Sequence, residues 1–166
     1  MKFLVTFAIV LVSGAALAFA QQAGLSALKE SSVKMSGQTI TLKYSALAAS
    51  SGKISGVPAL FHTDVNLEIQ GLAVPKGDYT FYVLPDAKEW QLIISKQTGT
   101  QAATYNPKMD LGRVPMDMNK ASAPVDALKM TLASLGSVAG KLDVAWQSTI
   151  ASVPFYIDAV KANVEW

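Results

Sequence analysis

From Thr39 almost to the end of the chain, apolar side chains recur at every second position. Ile40, Leu42 and Tyr44 alternate with Thr39, Thr41 and Lys43, and Phe61, Val65, Leu67 and Ile69 alternate with His62, Asp64, Asn66 and Glu68. Leu128, Met130 and Leu132 oppose Ala127, Lys129 and Thr131; Leu142, Val144 and Trp146 oppose Lys141, Asp143 and Ala145. Trp90, Leu92 and Ile94 continue the pattern, and Val153, Phe155 and Ile157 close it. Tyr79 to Leu84 is mostly apolar or aromatic on both faces, as suits a central strand. A period of two belongs to a strand with one face on a core, whereas a helix repeats every 3.6 residues. The chain is therefore expected to fold as strands.

Turn chemistry separates these runs. Val74-Pro75-Lys76-Gly77 combines the fixed φ of proline with a glycine at the turn exit, Leu84-Pro85-Asp86 ends a strand, and Gly136 and Gly140 bracket a hairpin. Residues 101–124 hold Pro107, Pro115 and Pro124 and no clean period. They are expected to form a long loop with one short strand near Arg113 to Met116. Ala23 to Glu30 has room for a helical turn or two. The pattern predicts an all-β fold, an antiparallel β-sandwich of about seven to eight strands, with a barrel-like closure as the alternative. The expected organisation is a signal peptide over 1–20, an N-terminal extension over 21–37 and one β-sandwich domain over 38–166.

The N-terminus reads as an export signal. Lys2 precedes an apolar run from Phe3 to Val12, and Ala18-Phe19-Ala20 forms a small-x-small cleavage site before Gln21. Cleavage would leave no membrane span, and it would remove Lys2, leaving one more basic than acidic residue from the original 14 and 12. With basic residues spread singly, nothing marks a nucleic-acid surface. The absence of cysteine removes disulfides, thiolate nucleophiles and cysteine zinc sites together. A single histidine likewise excludes a multi-histidine metal site within one chain.

Candidate chemistry is sparse. Alternation places His62, Asp64 and Glu68 on one strand face, where imidazole and carboxylates could converge on a divalent metal, although polar side chains at every second position are also what a water-facing sheet shows. Asp110 and Arg113, the only arginine, could clamp a carboxylate or phosphate, or pair to fix the loop. Tyr82 is the aromatic expected to expose an edge to a ligand, whereas Trp90 and Trp146 share faces with core residues. No Gly-x-Ser-x-Gly elbow accompanies His62, so no catalytic residues are assigned.

Phe61-His62-Thr63-Asp64 followed by the run from Gly71 to Thr80 resembles a family of exported bacterial proteins, domain of unknown function 2911. Trp90 to Ile94 with Lys96, Asp110 to Met116, Ala145-Trp146 and Val153-Pro154 extend the resemblance in order from about Ile40 to Ile157. Members usually carry a Trp-Arg-x-Gly-Ala-Asn-type segment where this chain has Gly56-Val57-Pro58-Ala59. The resemblance implies a secreted or periplasmic β-rich domain with no assigned activity. Together these observations lead to the expectation of an exported, non-catalytic binding or interaction module with an envelope ligand or protein as partner and no cofactor. The alternatives are a metal-dependent hydrolase built on His62, and a structural envelope protein that pairs through a strand edge.

Overall fold

The computed structural model describes residues 28–46, 57–99 and 104–158. The expected signal peptide lies outside them. The described chain contains nine strands: β1 (Leu28–Met35), β2 (Gln38–Ser45), β3 (Ala59–Thr63), β4 (Leu67–Ile69), β5 (Leu72–Val74), β6 (Gly77–Leu84), β7 (Trp90–Ser95), β8 (Asp110–Ser134) and β9 (Ala139–Ile157). They form one antiparallel sheet in the order β1-β2-β3-β6-β7-β8-β9-β4-β5. The fold is all-β and antiparallel, as the alternation predicts, and its layers are limbs of one open sheet.

The long β8–β9 hairpin makes this possible. One half pairs from Asp117↔Ser152 to Lys120↔Thr149 and the other from Lys129↔Ala145 to Ser134↔Gly140, with register shifts on either side of Val125↔Gln147. Gln147 has φ 52°, a left-handed conformation that turns the ribbon at this bulge. The halves then face each other. Ile157 N donates to Val138 O at 2.8 Å, and a Cβ on Gly140 would stand 2.5 Å from Cζ of Phe155. Glycine is required there by the aromatic ring lying against its backbone. Ile40, Leu42, Phe61 and Phe81 from one limb meet Leu67, Leu128, Val144 and Phe155 in a single buried core.

Two local expectations are corrected. The segment read as a long loop is a 3-10 turn at Pro107–Met109 followed directly by β8, which runs for 25 residues. Its prolines sit where a missing N–H is tolerated. Pro115 lies opposite Gln91 of β7 and has no β9 partner on its other side, since the first β8–β9 pair is at Asp117, and Pro124 falls in the gap in register between Lys120 and Val125. At the other end, Leu28–Met35 of the N-terminal extension is β1, paired with β2 along its whole length, so Leu28 to Glu30 are strand and not helical turn. Ser31 Oγ accepts from Leu132 N at 2.9 Å, which lays β1 beside the far half of β8. Among the described residues no strand pairing joins the two, so the sheet stays open along that seam.

The feature that positions the candidate site is the connection from β7 to β8. Phe81, Val83, Leu92 and Ile94 face the core, while Thr80, Tyr82, Ile93 and Ser95 alternate with them on the outer face and are buried as well. What covers them is the connection. Thr80 Oγ1 donates to Gln97 O at 2.7 Å, Gln97 Nε2 donates to Thr104 O at 2.9 Å, and Gln97 Oε1 accepts from Asn106 N at 2.8 Å. A buried glutamine thus ties the cover together through both the oxygen and the nitrogen of its amide.

Candidate functional site

The cover stops short of β2 and β3. Beyond its margin the outer face opens as a cleft of about 470 Å³ lined by Thr41, Lys43, Leu60, Phe61, His62, Asp78, Tyr79, Thr98 and Gly99. Antiparallel register places Thr41, His62 and Asp78 in one row across β2, β3 and β6, and Lys43, Leu60 and Thr80 in the next. Leu60 is 40% exposed, whereas Phe61 and Tyr79 in the same lining are buried. Lys43 Nζ forms a long ion pair with Glu30 Oε2 at 3.6 Å, both side chains being half exposed.

His62 is bracketed by two carboxylates. Its Nδ1 lies 2.7 Å from Asp78 Oδ1 and its Nε2 lies 2.9 Å from Asp64 Oδ1. The hydrogen bond to Asp64, then that to Asp78, raises the imidazole pKa above its ordinary 6.5. In return the bond to His62, helped by Thr39 N at 3.3 Å, holds the Asp64 carboxyl below its usual range. Glu68 takes no part. β3 ends at Thr63, whose Oγ1 donates to Val65 O and accepts from Val65 N, and the chain crosses to β4 on the other limb. Among the described residues no three His, Asp or Glu side chains are grouped to hold a metal ion. In the bracket, the two carboxylates approach opposite nitrogens of the ring and so do not converge on one point.

Asp110, Arg113 and Tyr82 do come together, around a residue that sequence reasoning missed. Tyr105 Oη donates to Asp110 Oδ2 at 2.6 Å and accepts from Arg113 Nη2 at 2.6 Å, while Arg113 Nε donates to the same carboxylate oxygen at 3.2 Å. The Tyr105 ring packs edge-on against Tyr82, centroids 5.0 Å apart. Tyr82 is only 1% exposed, which corrects the expected free edge: the cover lies on it. Burial and the Asp110 charge raise the pKa of both tyrosines, and the hydrogen bond to Asp110 raises that of Arg113. Asp110 Oδ1 is buried with no hydrogen-bond partner, so this clasp is not fully satisfied. Nε and Nη2 of Arg113 are spent on holding the cover to β8.

Asp78, Leu60, Lys43 and the Thr98–Gly99 rim were also missed. Asp78 lies 16 residues from His62, and only the pairing of β3 with β6 brings it near. No periodicity within one segment carries that information.

A family model described as protein of unknown function (DUF2911) matches residues 55–155, which span β3 to most of β9 and include the bracket and the clasp. No match was found among curated proteins or among solved structures.

Proposed function

The chain belongs to this family of proteins of unknown function, and from that premise we propose that it is an exported, non-catalytic binding module of the cell envelope whose ligand seats in the cleft beside His62. One observation carries the reading: an exposed Leu60 ringed by hydrogen-bonding groups of both signs in a cleft of about 470 Å³. Ligand sites are concavities of roughly 300–1,000 Å³ with apolar surface and a few placed polar groups. Lys43 offers donors, Asp78 acceptors, and Thr41 and Thr98 both. The second candidate contact region, at Arg113, is less suited because Nε and Nη2 of the guanidinium are already spent on Asp110 and Tyr105. The signal-like N-terminus supports export.

A thermal-shift screen of the purified protein against glycans, peptidoglycan fragments and divalent metals tests this. A ligand at a hundred times its Kd adds about 2.7 kcal/mol, and each kcal/mol raises Tm by about 2–4 °C in a domain of this size or somewhat larger. The expected result is a shift of several degrees with a glycan or peptidoglycan fragment that Leu60→Glu abolishes. No shift, or one indifferent to Leu60→Glu, would remove the cleft from consideration. A metal shift lost in His62→Ala would favour the hydrolase alternative instead.

A further inference from the structure

We infer that the cleft is gated by pH through the His62 bracket, with Asp78 held by the charged ring and released into the cleft when the ring loses a proton. The consequence for binding rests on the reading above; the gating itself rests on the bracket's geometry.

An imidazolium has two N–H donors, and here both meet carboxylates, at 2.7 and 2.9 Å. Neutral imidazole has one. Loss of the proton therefore leaves a ring lone pair facing a carboxylate oxygen, two acceptors with nothing between them, and one acid must move.

The two acids are not equally free. Asp64 is pinned to β2: its Oδ2 accepts from Thr39 N at 3.3 Å and its own N donates to Thr39 O at 3.1 Å. Asp78 has a side chain 70% exposed and no second hydrogen-bond partner among the described residues. The remaining proton should thus stay on Nε2, facing Asp64, while Asp78 swings off Nδ1 into the cleft it lines. The raised imidazole pKa fits a ring that both acids hold in its charged form.

Among the described residues the charged groups at the ring and across the cleft are Asp64 from the turn after β3, Asp78 from β6 and Lys43 from β2, the last paired with Glu30 from β1. Thr41 of β2 and Thr98 and Gly99 of the cover bring no charge. In acid the cleft presents the charged ring, Lys43 with its partner Glu30, and an occupied carboxylate. In alkali it presents Lys43 and a free carboxylate, which suits a ligand offering hydroxyl or amine donors.

His62 is the only histidine, so its ring nitrogens give unambiguous NMR signals in the full protein without any ligand. The titration should show a midpoint above the ordinary value, an Nε2–H tautomer at alkaline pH, and a lower midpoint in Asp78→Asn. An alkaline Nδ1–H tautomer, or a midpoint unmoved by Asp78→Asn, would overturn the gate. A failed ligand screen sinks the binding reading without touching these signals, so the two failures are told apart.

Discussion

His62 and Arg113 stand on the same outer face of the sheet, and each is a basic side chain bonded to carboxylate oxygen. Around His62 the carboxylates of Asp64 and Asp78 are 46% and 70% exposed; around Arg113 the Asp110 side chain is only 13% exposed. The cover from β7 to β8 makes the difference. At its edge the Tyr105 hydroxyl of the cover and the largely buried Asp110 replace water, so the Arg113 clasp is part of what holds the fold shut. Beyond it the bracket stays in solvent, where an ion pair adds little to stability but can respond to pH. Similar groups thus serve as a fastener in one place and as a responsive surface in the other.

The largest expected effect tests that division directly. Asp110→Ala strips the acceptor from both the Tyr105 hydroxyl and Arg113 Nε, and should cost about 2 kcal/mol, since hydrogen bonds to charged groups are worth about 1.5–3 kcal/mol. Tm should then fall by roughly 4–8 °C. Asp78→Ala at the exposed bracket should stay within about 0.5 kcal/mol, as surface substitutions do. Equal losses in urea unfolding would break the comparison.

A smaller effect sharpens it. Tyr105→Phe keeps the ring against Tyr82 but removes the hydroxyl that links Arg113 to Asp110. The expected cost is about 1 kcal/mol, the net worth of an ordinary hydrogen bond, and Arg113 should keep its direct bond to Asp110. If Tyr105→Phe costs as much as Asp110→Ala, the hydroxyl and not the ion pair is the fastener.

The fold and the site were legible in the sequence to different depths. Alternation exposes a strand wherever one face is buried, so β2, β3 and the Trp90, Leu92 and Ile94 face of β7 could be read directly from it. It also showed Tyr79 to Leu84 apolar on both faces, which is the trace of the cover, though not what the cover is. It failed where the period ran on through a break: Glu68 keeps step with His62 although the Thr63–Val65 turn separates β3 from β4. In the first half of β8 only the strand near Arg113 to Met116 was legible; Pro115 and Pro124 hid its continuation. Asp110 and Arg113 were visible because they are three residues apart. Tyr105 and Asp78 come to their partners through loop folding and non-adjacent strand pairing, which local spacing does not encode.

The smallest effect lies in how the bracket responds to pH. Because the folded protein raises the His62 pKa, the stabilisation from its proton is complete below the ordinary 6.5 and drains away as pH rises through the raised value. Asp64 works in the opposite sense: its lowered pKa stabilises above the ordinary 3.8, and that contribution is lost as pH falls through the lowered value. The bracket is therefore strongest between those limits. Urea unfolding midpoints of the wild type and His62→Gln, compared from about pH 3 to pH 9, should differ most in that window and converge on both sides. Both groups are exposed, so the hump should be small beside the loss in Asp110→Ala. A difference that stays constant across the range would mean that His62 acts by packing alone. A hump as tall as the Asp110→Ala loss would make the bracket a second fastener and erase the distinction between the two regions.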